Sequence, residues 1–258
     1  MPKVRKAALG VAGIALFVVV WQMVPSVGLV DPQYVPAAAT VFGRLGELLG
    51  RPDFWVSVGQ TLAGWFLGLT IATIAGAALG ACVGLVPFLR RATHTTIEFL
   101  RPIPSVALIP LAVLMYGLDL EAALVIIVYA TFWPVFIQVI YGVADVDPVA
   151  RDTARAFGLN GPSRLVSLIL PTALPYLMTG IRLSASVALI LAVTAEMVIG
   201  NPGLGRLIGL SQSAGDAASL FALVVVTGML GLILNLLFRL IERRSLAWHQ
   251  SVRGEEVL

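Results

Sequence analysis

The residues best placed to do chemistry in this 258-residue chain lie between Asp147 and Pro171, in the run DPVARDTARAFGLNGPSRLVSLILP. Asp147, Arg151, Asp152, Arg155 and Arg164 would each cost several kcal/mol in hydrocarbon, yet the run is flanked by long apolar stretches. Something soluble must meet it, so the chemistry is docking. A second candidate is Glu196, the one acid that falls well within an apolar stretch, where an ionisable group is a functional candidate by default. The single cysteine, Cys82, excludes an intrachain disulfide, and His94 and His249 are too far apart to argue for a metal site.

The docking run reads as two short helices around a turn. Asp147 is a good N-cap, Pro148 fits the first helical position, where its missing N–H costs nothing, and Gly158 fits a left-handed C-terminal cap. Helical spacing puts Ala150, Ala154 and Phe157 on one face and Arg151, Asp152 and Arg155 on the other. Pro162 starts the second helix, Leu165, Val166, Leu168 and Ile169 sink toward the membrane surface, and Pro171 stops it. About ten residues of helix are marginal alone in water, so a neighbour has to hold the first one: the membrane surface or a protein partner.

The elements that position these residues are membrane spans. Hydrophobic residues make up 59% of the chain and charged residues 12%, about half the share of a soluble domain, which makes this an all-α, polytopic membrane protein. A span needs about 20 apolar residues, and the apolar runs place six near Ala7–Val24, Val56–Val86, Ser105–Tyr116, Ala122–Val143, Leu177–Ile199 and Ala217–Leu240. The third is short and borrows depth from Thr96–Leu100 or Pro102–Pro104. Although Lys3, Arg5 and Lys6 before an apolar run also resemble a secretory signal, the run continues through Val20 and no small-residue cluster closes it nearby, so a retained span is expected.

Of the 17 lysines and arginines, only Arg44, Arg51 and Arg206 fall outside if both termini are cytoplasmic. This positive-inside asymmetry also turns residues 147–171 to the cytosol and accounts for the pI of about 9.4 without nucleic acid. The organisation expected is a span and external segment over 1–55, a core over 56–245 carrying the cytosolic loop at 147–171, and a cytosolic tail over 246–258. Externally, Asp31, Glu47, Asp53, Asp119, Glu121 and Asp216 outnumber the three arginines, a mildly acidic face that could orient a soluble protein.

The run D-T-A-R-A-F-G from Asp152 to Gly158, followed after nine residues by L-I-L-P ending at Pro171, resembles the EAA loop of permease subunits from binding-protein-dependent ABC importers. Asp152 stands where glutamate is usual, Thr153 where the first alanine is usual, and Leu168 where isoleucine is common. The resemblance extends over roughly Val56 to Trp248. Arg101-Pro102-Ile103-Pro104, Ala107-Leu108-Ile109-Pro110-Leu111 and Tyr116-Gly117 look like the third-span signature of the nitrate, taurine and aliphatic-sulfonate branch. Leu170-Pro171-Thr172-Ala173-Leu174-Pro175, Gly180-Ile181-Arg182-Leu183, and Ala195-Glu196-Met197 with Gly203-Leu204-Gly205 continue it.

That resemblance implies a type I ABC importer permease-like core in the cell inner membrane. Two copies, as a homodimer, would form the pathway for nitrate, taurine, a sulfonate or a similar small solute delivered by an external solute-binding protein. Two ATP-binding cassette subunits would hydrolyse ATP, docked on Asp147, Arg151, Asp152, Ala154, Arg155, Phe157 and Gly158. The chain has no G-x-x-x-x-G-K-[ST] motif and no lysine beyond Lys3 and Lys6, so it is expected to be no enzyme and to bind no cofactor, with ATP used by the partner. Pathway or gate candidates are Glu196, Tyr116, Trp133, Ser184, Ser186 and Thr194. Small hydroxyls also pack helices and aromatics also anchor at interfaces. Arg182 is expected to snorkel to headgroups, and Gly64, Gly68, Gly76, Gly80 and Gly84 to form a close-packing face. An ion-coupled carrier, or a scaffold subunit without transport, stays open as an alternative.

Overall fold

Apolar runs bounded by proline, glycine and polar caps become helices throughout the computed structural model, which describes residues 3–247, with side chains from Ala8 onward. In chain order they are α1 (Lys3–Ser26), α2 (Ala38–Leu49), α3 (Pro52–Leu85), α4 (Pro87–Leu100), α5 (Ile109–Tyr116), α6 (Leu120–Ala144), α7 (Pro148–Ala156), α8 (Gly161–Arg164), α9 (Leu170–Ile199), α10 (Leu204–Ser213) and α11 (Ala217–Ser245). Five stretches are long and apolar enough to cross a membrane: Ala8–Ser26, α3, α6, Gly161–Ile199 and α11. The charges of Lys3, Arg5, Lys6 and Arg253, like His249 and the tail beyond Ala247, lie outside the described side chains.

The core is the stack of α3, α6 and α9. Gly68, Gly76, Gly80 and Gly84 of α3 face Ile127, Val135, Val139 and Val143 of α6, the glycine face expected from sequence. A Cβ on Gly80 would stand 2.8 Å from the Phe136 carbonyl oxygen, so the backbones meet at a separation only glycine permits. On the other side of α6, Gly180 of α9 approaches the Val135 backbone in the same way. Around this stack, α1 is nearly unburied and is tied down by Trp21 and Gln22. The Trp21 indole donates to Pro36 O (3.1 Å), and the Gln22 carbonyl accepts from Ala39 N (2.9 Å).

Three regions take a shape that the sequence left open or misread. The third span, short and of uncertain continuity in sequence, is a broken helix: α4 and the Ser105–Tyr116 segment meet at 81°, because Pro102 and Pro104 deny the turn its backbone donors. Pro171 does not stop its helix either. Residues 165–169 widen into a π turn in which Leu170 N–H donates to Leu165 O, and the helix runs on from Gly161 to Ile199. Such a turn shifts the bonding register by one residue just before the proline, which relieves its clash with the preceding carbonyls. Finally, the external segments carry helices of their own, the amphipathic α2 and α10.

Loops sort to two ends. At one end Arg44 Nε donates to Ser219 Oγ (2.7 Å) and Asn201 Nδ2 to Asp119 O (2.8 Å), joining the segments that carry Arg44, Arg51 and Arg206. At the other, Tyr176 donates to Asp145 (2.7 Å), and Arg182 pairs with Glu242 of α11 at 2.8 Å. Arg182 therefore spends its charge on a neighbouring helix, contrary to the expectation of snorkelling.

Candidate functional site

At the arginine-rich end, α7 projects from the body. Asp147 caps it, accepting from Val149 N at 2.8 Å, with Pro148 at its first position. Its end is a Schellman cap: Gly158 adopts φ +74°, Gly158 N donates to Arg155 O (2.9 Å) and Leu159 N to Ala154 O (3.0 Å). Ala150, Arg151 and Ala154 turn half-buried toward the body, and Asp152 and Arg155 pair with each other at 3.1 Å on the outside. Phe157 ends the helix as its C-cap, its N–H still bonded to Thr153 O at 3.0 Å, and stands 80% exposed, a large apolar side chain with nothing among the described residues to cover it. Beside α7 a cleft of about 760 Å³ is lined by Arg90, Arg91, Arg151, Arg155 and Arg164, with no carboxylate among its lining residues.

A second polar region follows α4. Arg90, His94, Glu98 and Arg101 recur at helical spacing along one side and line a cavity of about 580 Å³ against Val83, Ile137, Ile140 and Tyr141. Arg101 also lines an adjoining cavity of about 390 Å³ with Ser105, Tyr129, Trp133 and Gln138. Tyr129 Oη donates to Leu100 O at 2.6 Å and stands about 14 Å along the roughly 37 Å of α6, so the α4–α5 corner lies well inside the span, between a third and a half of the way along it. Sequence reasoning placed Arg101 with the cytosolic charges and took Glu196 for the one acid within a span. The weak bounds of the short third span hid both Arg101 and Glu98, although the charged stripe at 90, 94, 98 and 101 was the available signal.

The other expected pathway residues scatter. Trp133 lines the smaller cavity. Its buried indole N–H has no acceptor among the described residues. Ser184 is fully buried and donates to Thr131 O at 2.6 Å, a tie between α9 and α6. Thr194 bonds back to Ile190 O at 2.7 Å, while Ser186 and Tyr116 are exposed and line neither cavity.

Glu196, 5% exposed, holds α10 rather than facing a cavity. Its Oε2 accepts from Thr61 Oγ1 of α3 and from Gly205 N, each at 2.9 Å, and Thr61 Oγ1 accepts in turn from Leu204 N at 2.9 Å. Two amides of the first turn of α10, which no helix can satisfy internally, are thus capped by side chains from α3 and α9. The closeness needs the glycines of Gly203-Leu204-Gly205, since a Cβ on Gly203 would overlap the Glu196 carboxylate and one on Gly205 the Val193 carbonyl. Nearby, Asp216 caps α11 by accepting from Ser219 N (3.0 Å) and lies 3.5 Å from Arg44. The Ser219 hydroxyl and amide, with Arg44 adding, hold its carboxyl below the usual range.

Residues 68–246 match the family described as "Binding-protein-dependent transport system inner membrane component". The chain is 30% identical over 260 aligned residues to the taurine transport system permease protein TauC of Escherichia coli (strain K12), covering 98% of this chain and 94% of the relative. It is 28% identical to the putative aliphatic sulfonates transport permease protein SsuC of Bacillus subtilis (strain 168), covering 93% and 87%. Among solved structures, the inward-facing MetNI methionine ABC transporter superposes with a TM-score of 0.65 at 20% identity, over 76% of this chain and 98% of that one, a likeness of fold.

Proposed function

The chain belongs to the family of binding-protein-dependent transport system inner membrane components, and from that membership we propose that it is the permease subunit of an ATP-driven importer for small oxyanionic solutes such as taurine or alkanesulfonates. Both sulfonate-named relatives support that solute class. Two copies form the pathway, a solute-binding protein delivers the solute outside, and ATP is hydrolysed in a separate pair of subunits. Both termini and the 147–171 segment face the cytosol, where each α7 sits in a cleft of one ATPase.

The observation that carries the reading is α7 itself: a helix capped at both ends, projecting from the body, with Phe157 uncovered beside an arginine-lined cleft. Residues of this kind at the centre of a contact dominate its binding energy, and a cleft of arginines favours acidic side chains on the partner. Substituting Phe157→Asp buries a charge in that contact. In proteoliposomes holding the complete importer, Phe157→Asp or Gly158→Glu is expected to insert normally, release the ATPase subunit on purification and abolish ATP-dependent uptake. Full uptake with the ATPase still bound would refute the assignment. A broken span with charges well inside it is a feature that ion-coupled carriers share, and uptake driven by an ion gradient without ATP would select that reading instead.

A further inference from the structure

The lining of the two α4 cavities is unbalanced in a way that names a ligand. Lining the smaller one are Arg101, Trp133, Gln138 and Ser105, side chains that each carry a hydrogen-bond donor. Among the described residues Arg101 makes no ion pair, and the buried Trp133 N–H has no acceptor. The Tyr129 hydroxyl is already committed to Leu100 O. The carboxylate in the neighbouring cavity, Glu98, lies 3.5 Å from His94 one turn back along α4. Donors are therefore in surplus where the chain breaks its helix, well inside the span.

An isolated charge at that depth is costly unless water or a counter-charge reaches it. Lipid phosphates stay at the membrane surface. Glu196, the acid buried within α9, is spent on Thr61 and Gly205. What fits is a small solute presenting an oxyanion group, trigonal or tetrahedral, that a guanidinium fork grips with two parallel bonds. We propose that Arg101, with the Trp133 and Gln138 donors beside it, is the oxyanion contact of the passage, and that the Arg90–His94–Glu98–Arg101 side of α4 lines its route toward the arginine-rich end. This rests on the reading of the chain as a transport pathway, but not on where the ATPase docks.

The test uses a thiol placed beside Arg101, by Ser105→Cys in a Cys82→Ala background, in the complete importer in liposomes. The probes are 2-sulfonatoethyl methanethiosulfonate, itself an alkanesulfonate, and its cationic trimethylammonioethyl counterpart, each rate normalised to that with a free thiol in solution. With Arg101 present the sulfonate reagent is expected to react roughly tenfold faster or more than the cation. Arg101→Gln collapses that ratio, Arg101→Lys keeps most of it, and Glu98→Gln raises it by removing a carboxylate from the adjoining cavity. A ratio that ignores Arg101→Gln, or a thiol that neither reagent reaches, overturns the proposal. So does a Glu98→Gln variant that lowers the ratio and loosens the paired permeases as Arg101→Gln does, because Arg101 would then be an ion-pair partner between copies. Docking is read by co-purification and uptake, and this proposal by the ratio of thiol reactivities, so a failure of the docking assignment and a failure of this one read out separately.

Discussion

Single side chains at the outer end decide whether α10 stays seated. Glu196→Ala strands both the Gly205 N–H and the Thr61 hydroxyl in a buried site, and an unsatisfied buried donor costs about 1–3 kcal/mol. A loss of thermal stability by roughly that amount per stranded donor is expected, with hydrogen exchange rising first in α10. Glu196→Gln keeps an acceptor and should cost less than half as much. Equal unfolding temperatures for Glu196→Ala and the parent protein would remove the latch from the account. Asp216 makes a pH-dependent contribution of known sign. Its folded-state pKa is depressed, first by the Ser219 hydroxyl and amide, so its stabilisation is complete above the unfolded carboxylate value near 4 and is lost as pH falls through the lower folded value. The protection factors of amides in α2 and the first turn of α11, corrected for intrinsic exchange, should therefore fall only under strongly acid conditions, and Asp216→Asn should make them independent of pH there. A fall already complete at pH 5 would contradict this ordering.

Among the long spans, the α3–α6 contact leaves little room for change. Gly80→Ala puts a methyl 2.8 Å from the Phe136 carbonyl oxygen and 3.0 Å from Val139 Cβ, and backbone cannot rotate away as a side chain can. Overpacking of this kind costs about 1–3 kcal/mol, read as a lower melting temperature in detergent. The control is Gly10→Ala in α1, where a Cβ meets nothing within 4 Å and the higher helix propensity of alanine should leave stability unchanged or slightly raised. If both variants melt alike, the glycine face is not a packing face. This contact was legible in the sequence because a four-residue period in an apolar run has one structural meaning. So were the spans α3, α6 and α11, and the caps Asp147 and Gly158. The α4–α5 corner and α10 were not: prolines 102 and 104 mark a break without its angle, and the polar stripe of α4 reads as surface charge until Tyr129 fixes its depth. Ser184 illustrates the converse limit, since a hydroxyl that ties two helices and one that faces a passage look the same in a list of residues.

Over the whole molecule, one helix joins both working ends. From Gly161 beside the docking segment to Ile199 beyond Glu196, 39 residues span about 58 Å, with α7 hung on one end and α10 latched to the other. A rigid rod of that length passes tilt and rotation from an ATPase-driven α7 to the outer face, provided the azimuth of α7 relative to the rod is fixed. The π turn at 165–169 sets that azimuth, because it holds one residue more than an α turn. Deleting Ser167 together with Pro171→Ala restores a plain α-helix and turns everything before it by about 100° relative to α9. The spans keep their packing, since neither residue lies in the buried core. Thermal stability should stay at or above that of the parent, and the ATPase, on the docking proposed for α7, should still bind. Uptake should fail because closure of the ATPase pair would push the rod in the wrong direction. Preserved uptake in this variant would mean that α7 moves independently of α9, and that force reaches the passage by another path such as α4.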